Sequence, residues 1–297
     1  MVIKFKKVAV LKGGISSERE VSLRSGAAVA QGLRAGGYDV VEVDVVGKDF
    51  TVPSGVEAVF VALHGTFGED GGVQRILAGM GIPYTGSGAE SCRVAFDKVL
   101  TRKRLEKNGV PVPAGEVVKV SKDRSIPVPL VVKPPCEGSS VGCHLVFEEA
   151  DWSEAFADAA RFSGTVLVEE YIPGRELTVG VVEGQVLPVV EIQTAGEWYD
   201  FEAKYVKGDT RYTVPAELSP DATARLQEIA LKTFQCLDAE GFGRVDFRLS
   251  PEGRAYVLEL NSIPGFTATS LLPKAAEAVG TGFSELCCRI MESARVK

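Results

Sequence analysis

Histidine is almost missing from this chain: among 297 residues only His64 and His144 occur, and the six cysteines Cys92, Cys136, Cys143, Cys236, Cys287 and Cys288 form no C-x-x-C pair. A zinc site built from spaced cysteines and histidines is therefore not expected. There is no basic run, and the formal charge is -7, so the overall field repels a polyanion and nucleic acid is not expected as a partner. No apolar stretch approaches the about 20 residues of a membrane span. The lysine-flanked start, residues 1–11, lacks the long apolar core and small-residue cleavage site of an export signal and reads as a first strand. Together these absences point to a cytoplasmic protein with reduced cysteines and no membrane insertion. The phosphate-binding pattern G-x-x-x-x-G-K-[ST] is absent too, as is any internal repeat or low-complexity tract.

What is present resembles an ordinary globular chain, with 45% hydrophobic and 25% charged residues. The length exceeds what one core uses, so two or three lobes are expected. The first is α/β: a strand at 7–11, a turn at Gly13-Gly14, a helix at 21–36, and strands at 40–45 and 58–63 read as parallel strands covered on both faces. A helix then runs to about residue 108, and Pro111 and Pro113 mark entry to a second, α+β lobe with strands at 116–120, 130–133, 144–147 and 165–170 and a helix at 151–162. The last lobe holds strands at 176–182 and 186–192, a polar aromatic loop over 194–219, a helix at 221–237, strands at 244–249 and 255–260, and one final helix over 270–293. The expected division is 1–93, 94–172 and 173–297.

Near the C-terminus, Asp246 alternates with Arg244 on one strand and Glu259 with Asn261 on the next, so each pair projects from one face. Two carboxylates and an amide oxygen converging on one spot call for a hard cation, and magnesium completed by phosphate oxygens suits so few protein ligands. A solvated face on an edge strand fits the same pattern. Upstream, Lys133 ends an apolar strand and leads into Glu137-Gly138-Ser139-Ser140-Val141-Gly142, a small-residue loop able to aim backbone N–H groups at phosphate. A plain hairpin fits equally well.

The same stretch satisfies G-x-S-x-G, the serine-hydrolase elbow, but that machinery needs an acid and then a histidine downstream, and His144, the only later histidine, is too close in sequence to swing onto Ser140. At Glu169-Glu170-Tyr171-Ile172-Pro173-Gly174 a strand leaves its lobe through a turn; such a hinge suits a nucleotide, with backbone at 170–172 for an adenine edge and Glu176 for ribose hydroxyls. An ordinary polar turn is the alternative. Gly13 to Ser22 joins strand to helix, where Glu18 is either a helix cap or the partner of a substrate ammonium group. His64 ends a buried strand, the position at which α/β folds bind ligands.

Taken together, the strings GGISSEREVSL, ALHGTFGEDG, PYTGSG, Asp97-Lys98, VVKPPCEGSSVG, VEEYIPGRELTV, YDFEAKY, GRVDF and LELNSIPGFTATSLLP resemble the D-alanine:D-alanine ligases of the ATP-grasp superfamily, from about residue 8 to 292. The resemblance implies an ATP-grasp fold behind an N-terminal parallel-sheet domain. It implies that Glu18 binds the ammonium of a first D-alanine and His64 its carboxylate, and that Gly265, Ser270 and Leu271 surround the second. Lys98, Lys133 and the loop of Glu137, Gly138 and Ser139 would hold ATP phosphates, with Ser140 supporting Glu18. Glu169, Glu170, Tyr171, Ile172 and Glu176 match the nucleotide hinge. Lys204 and Tyr205 match a capping loop, Arg244 the group that stabilises the transition state, and Asp246, Glu259 and Asn261 the ligands of two Mg2+ (or Mn2+) ions.

The implied reaction makes D-alanyl-D-alanine, ADP and phosphate through an acyl phosphate, for peptidoglycan precursors, in a homodimer. D-alanyl-D-serine and D-alanyl-D-lactate ligases are the alternatives; depsipeptide-forming relatives tend to have phenylalanine where Tyr205 stands. Phe266 replaces a common methionine, Ser262 a threonine and Phe201 a tyrosine.

Overall fold

The computed structural model describes residues 4–193 and 210–297. Strand β1 (Lys7–Gly13) lies between β2 (Asp39–Val45) and β3 (Ala58–Val61) in a parallel sheet. Val8, Ala9, Val10 and Leu11 have no exposure, and neither has any residue of β3. Strand β2 departs from the expectation of cover on both faces. It is an edge strand with Asp39 and Asp44 exposed, and its Glu42 pairs with Lys12 and Arg34. The alternation of valine with acids in Val41-Glu42-Val43-Asp44 is that of a strand solvated on one side. Helix α1 (Arg19–Ala35) buries Val29, Ala30 and Leu33 against this sheet.

The short helix α2 (Gly72–Gly79) has no counterpart in the sequence reading, because eight residues give too few turns for a period to register. Asp70 sets its start by accepting N–H bonds from Phe67 and Gly72, at 2.9 and 2.8 Å. The single helix expected before residue 108 is two, α3 (Ala89–Phe96) and α4 (Lys98–Lys107). Between them Asp97 takes extended backbone, and its carboxylate accepts the N–H groups of Val99 and Leu100. That cap opens α4 with Lys98 as its first residue.

The second sheet is antiparallel, in the order β4 (Gly115–Val118), β7 (Val166–Glu170), β5 (Leu130–Lys133) and β6 (His144–Val146). Leu130, Val132, Val166 and Val168 pack against α5 (Trp152–Ala160) in one core. By strand alternation Val131, Lys133, Leu167 and Glu169 face the opposite side.

The third sheet, also antiparallel, runs β10 (Arg211–Thr213), β9 (Gln185–Gln193), β8 (Arg175–Val182), β11 (Phe242–Leu249) and β12 (Ala255–Asn261). Helix α6 (Pro220–Cys236) covers it, starting at Ser219, whose hydroxyl accepts from Ala222 N–H. The three-residue β10 lies where only loop was expected. The final helix is divided into α7 (Leu271–Glu277) and α8 (Phe283–Glu292), because Gly280 takes φ 84° and the Thr281 N–H turns back to the Ala276 carbonyl.

Helix α8 leaves the sheet of its own lobe and packs on α1 and β3 of the first one, while α7 lies between β8 and β9 and that same core. Leu271, Leu272, Leu286, Cys287 and Ile290 lie in one cluster with Val10, Leu33 and Phe60. The Gly32 backbone comes so close to α8 that a Cβ there would meet the Cys287 sulfur at 2.9 Å. Phe60, Phe242 and Phe266 close the junction, with ring centroids 5.7 to 5.9 Å apart. No helix among the described residues is long and apolar enough to cross a membrane.

Candidate active site

A cavity lies between the second and third sheets. On its floor Lys133 and Glu169 occupy adjacent strands, with Nζ 2.5 Å from Oε2, and the Arg102 guanidinium approaches the other carboxylate oxygen at 3.3 Å. All three side chains are buried. Burial opposes the charge on Lys133, but the carboxylate beside it more than compensates, and its pKa lies above the ordinary lysine value. Lys98 donates to the Glu137 carbonyl at 2.5 Å and stands 3.4 Å from Glu259, tying the small-residue loop to β12.

Within that loop Ser139 and Ser140 both have left-handed backbone, φ 52° and 59°. For non-glycine residues this costs roughly 1–2 kcal/mol each, strain of the kind that persists at ligand clamps. Burial raises the pKa of Glu137; Lys98 lowers it and Glu18 raises it further.

The hinge residues Glu170, Tyr171, Ile172 and Glu176 line the same cavity. Several backbone groups expected to meet an adenine are already bonded within the protein. The Glu170 and Tyr171 N–H groups go to the Ala114 and Pro129 carbonyls, and the Ile172 carbonyl accepts from Arg248 Nε at 3.0 Å. Arg248 also stands 3.5 Å from Glu176 and lies over the Tyr171 ring. It follows Arg244 and Asp246 at every second position of β11, a signal the sequence offered and the reading above passed over.

On the neighbouring strands Asp246 lies opposite Glu259, and Arg244 opposite Asn261. Arg244 grips Asp246 through two bonds, Nε at 2.8 Å and Nη2 at 2.7 Å. Thr178 donates to Asp246 at 2.6 Å and the Asn261 amide at 2.8 Å. Among the described residues no group of three or more His, Cys, Asp and Glu side chains stands close enough to hold a metal. Two carboxylates and one amide oxygen on facing rungs still fit a hard divalent ion, provided phosphate and water complete the shell.

A second cavity adjoins the first, and Gly138, Ser139 and Glu259 line both. Glu18 projects into it. This residue sits at the start of α1 without making a capping bond; its carboxylate instead accepts the Ser139 hydroxyl, across the lobes. The approach is tight, since a Cβ on Gly138 would lie 2.6 Å from Glu18 Oε2. Asn261, Gly265, Ser270 and Leu271 form the far wall with Arg244. Ser270 Oγ accepts from the Thr267 N–H at 3.0 Å.

His64 also lines this cavity but is fully buried, and burial holds its pKa below the usual histidine value against the pull of Glu18. Glu69, which sequence reasoning missed, lies behind it. Burial and the Glu18 charge push its carboxyl up to about 8, while N–H bonds from Gly65 and Ile263 oppose the shift. The signal was an acid inside a small-residue turn, easily read as solvated. Arg102 was missed because an arginine on a polar helix gives no sequence sign of burial. Every candidate residue in the described parts lines one of these two cavities; Lys204 and Tyr205 lie outside the described residues.

Two family models match the chain, "D-ala D-ala ligase C-terminus" over residues 100–292 and "D-ala D-ala ligase N-terminus" over 46–87. A D-alanine–D-alanine ligase of Methylacidiphilum infernorum is 44% identical, covering 97% of this chain and 95% of its own. One of Syntrophotalea carbinolica is 45% identical over 98% and 97%. Among solved structures, a D-alanine–D-alanine ligase from Bacillus anthracis superposes with a TM-score of 0.86 at 32% identity, covering 97% of both chains.

Proposed function

The chain belongs to the D-ala D-ala ligase family and carries out ATP-dependent joining of two D-alanines, and we propose that it does so across the shared wall of the two cavities. The observation that supports this placement is that Gly138, Ser139 and Glu259 line both. Phosphoryl transfer from ATP to an amino-acid carboxylate needs the nucleotide and the acceptor to meet end to end.

In this reading the adenosine lies against Tyr171 and Ile172, Glu176 takes the ribose, and Lys98 and Lys133 hold the phosphates under the 137–142 loop. Glu18 holds the first D-alanine by its ammonium group, directing its carboxylate at the γ-phosphate. Attack by a carboxylate oxygen breaks the bond between the γ-phosphorus and its bridging oxygen, releasing ADP and leaving an acyl phosphate. The second D-alanine, its carboxylate at Ser270 and Leu271 beside Gly265, attacks the acyl carbon with its unprotonated amine. Arg244 stabilises the oxyanion, the carbon–oxygen bond to phosphate breaks, and the dipeptide forms with loss of a proton. Asp246, Glu259 and Asn261 would hold Mg2+ or Mn2+, as two ions, which would neutralise and align phosphate oxygens. Catalysis is then positioning and charge neutralisation, with no covalent nucleophile from the protein.

We assign Ser140, Lys204 and Tyr205 to supporting and covering the acceptor cavity, and the units 1–93, 94–172 and 173–297 to substrate, nucleotide-loop and metal-strand functions. A cytoplasmic homodimer is the expected form; the free cysteines agree with a reducing compartment. D-serine or D-lactate as second substrate is less favoured, because the relatives above are D-alanine–D-alanine ligases. The test is incubation of purified protein with ATP, magnesium and D-alanine, reading phosphate release and dipeptide. Equal phosphate and dipeptide is the expected result. No D-alanine-dependent release would overturn the reading, and preference for D-serine or D-lactate would select the other ligases.

A further inference from the structure

Ile263 follows the proposed metal ligand Asn261 by two residues and opens the turn that leads to the second-substrate wall at Gly265 and Ser270. Both sides of its backbone are held from the first lobe. Its carbonyl is bonded to His64 Nδ1 at 2.8 Å, and its N–H points at Glu69 Oε1 at 3.3 Å. The other Glu69 oxygen accepts the Gly65 N–H at 2.7 Å, so the carboxyl group ties its own turn as well.

The proton positions follow from elementary donor and acceptor rules. A carbonyl only accepts, so Nδ1 of His64 carries the hydrogen, and in a neutral ring Nε2 must then accept. Its partner at 3.0 Å is Ser25 Oγ, which also takes the Phe266 N–H at 3.1 Å. The Ser25 hydroxyl hydrogen therefore points at Nε2. His64, Ser25, Glu69 and Ile263 are all buried at the edge of the second cavity. In this arrangement both nitrogens of His64 are spent within the protein, leaving no N–H to offer a substrate carboxylate.

We propose that His64 and Glu69 are positioning residues that clamp the Ile263 peptide from both sides and so fix the second-substrate wall relative to Glu18. The clamp rests on the ligase reading above, and its geometry explains why it would matter there. Glu18 belongs to the first lobe, whereas Gly265 and Ser270 belong to the strand-end turn, and the amine of the second D-alanine must meet the acyl carbon of the first within a few tenths of an ångström. His64 and Glu69 join those two pieces through hydrogen bonds within the protein.

Two measurements test it. Because the chain has only two histidines, long-range proton–nitrogen-15 spectra of the labelled full-length protein, compared with His144→Gln, isolate the His64 ring. The neutral Nδ1–H form is expected between pH 6 and 8; the Nε2–H tautomer, or a ring that titrates there, would overturn the clamp. This readout needs no turnover, so it stands apart from failure of the ligase reading, which would appear as absent phosphate release in the unaltered protein. In steady-state kinetics Glu69→Gln replaces one accepting oxygen with a donor. The expected outcome is a rise of about tenfold or more in KM for the second D-alanine, as for one lost hydrogen bond, with KM for ATP and for the first D-alanine within twofold. An unchanged second-site KM, or a common rise in all three constants, contradicts a positioning role.

Discussion

The Lys133 ammonium and the Glu169 carboxylate form a buried ion pair on adjacent strands, 2.5 Å apart, in the floor of the cavity between the second and third sheets. Removing one member of such a pair leaves an uncompensated charge and costs about 3–5 kcal/mol, less where another cation remains, as Arg102 does here. Lys133→Met is expected to lower the melting temperature and to reduce kcat/KM for ATP by about a hundredfold or more. The double variant Lys133→Met with Glu169→Gln should regain most of the stability and none of the activity. Thermal melts and ATP kinetics on the three variants check both halves, and recovery of activity in the double variant would contradict the assignment of Lys133 to phosphate.

Arg244 holds Asp246 bidentately and faces the acceptor cavity. Arg244→Gln keeps a polar side chain but loses the fork and the charge. If its charge is used in the transition state, kcat falls by about 10² to 10³ while KM for ATP moves little. A change confined to KM for ATP would instead assign Arg244 to the nucleotide.

The pH dependence of stability follows from His64. Its folded pKa is held below 6.5, mainly by burial, so the unfolded chain binds its proton first as pH falls. The stabilisation is complete above the unfolded value and is lost as pH drops from about 6.5 toward the folded one. Glu69, pushed up to about 8, contributes the opposite slope over its own window from its ordinary 4.5, since the folded state keeps that proton longer. Denaturant midpoints of the unaltered protein and His64→Gln between pH 8 and 5 separate the two. The variant should lose less stability on acidification, and identical slopes would refute the assignment.

Phe266 packs against Phe60, Phe242 and Phe283 at the meeting of the lobes. Phe266→Ala should cost about 3–5 kcal/mol, and Phe266→Met, which roughly keeps volume, under about 1.5 kcal/mol. Urea unfolding measures both. Equal costs would mean that the ring geometry, not the filled volume, is what the junction requires.

The strand pair of Asp246 and Glu259 and the small-residue loop after Lys133 were legible in the sequence because strand alternation and a lysine before small residues are local signals, and Asp246 does face Glu259 across the ladder. The helix breaks at Asp97 and Gly280 were not, since each depends on one cap inside an otherwise helical stretch. The exposed face of β2 was written in Glu42 and Asp44 but overlooked for its valines. The Ile263 clamp was beyond reach, because nothing local joins residues 64 and 69 to residue 263. It exists only after the first and third sheets have come together.

The return of α8 to α1 and β3 of the first lobe also sets an order of events during synthesis. The first strand has no finished core to enter until residues near 290 have been made. At 5–20 residues per second that is a delay of roughly 15–60 s. Over that interval the faces of α1 and β3 destined for α8 are without their partner, and the nascent chain presents to chaperones the same apolar surface that later holds that helix.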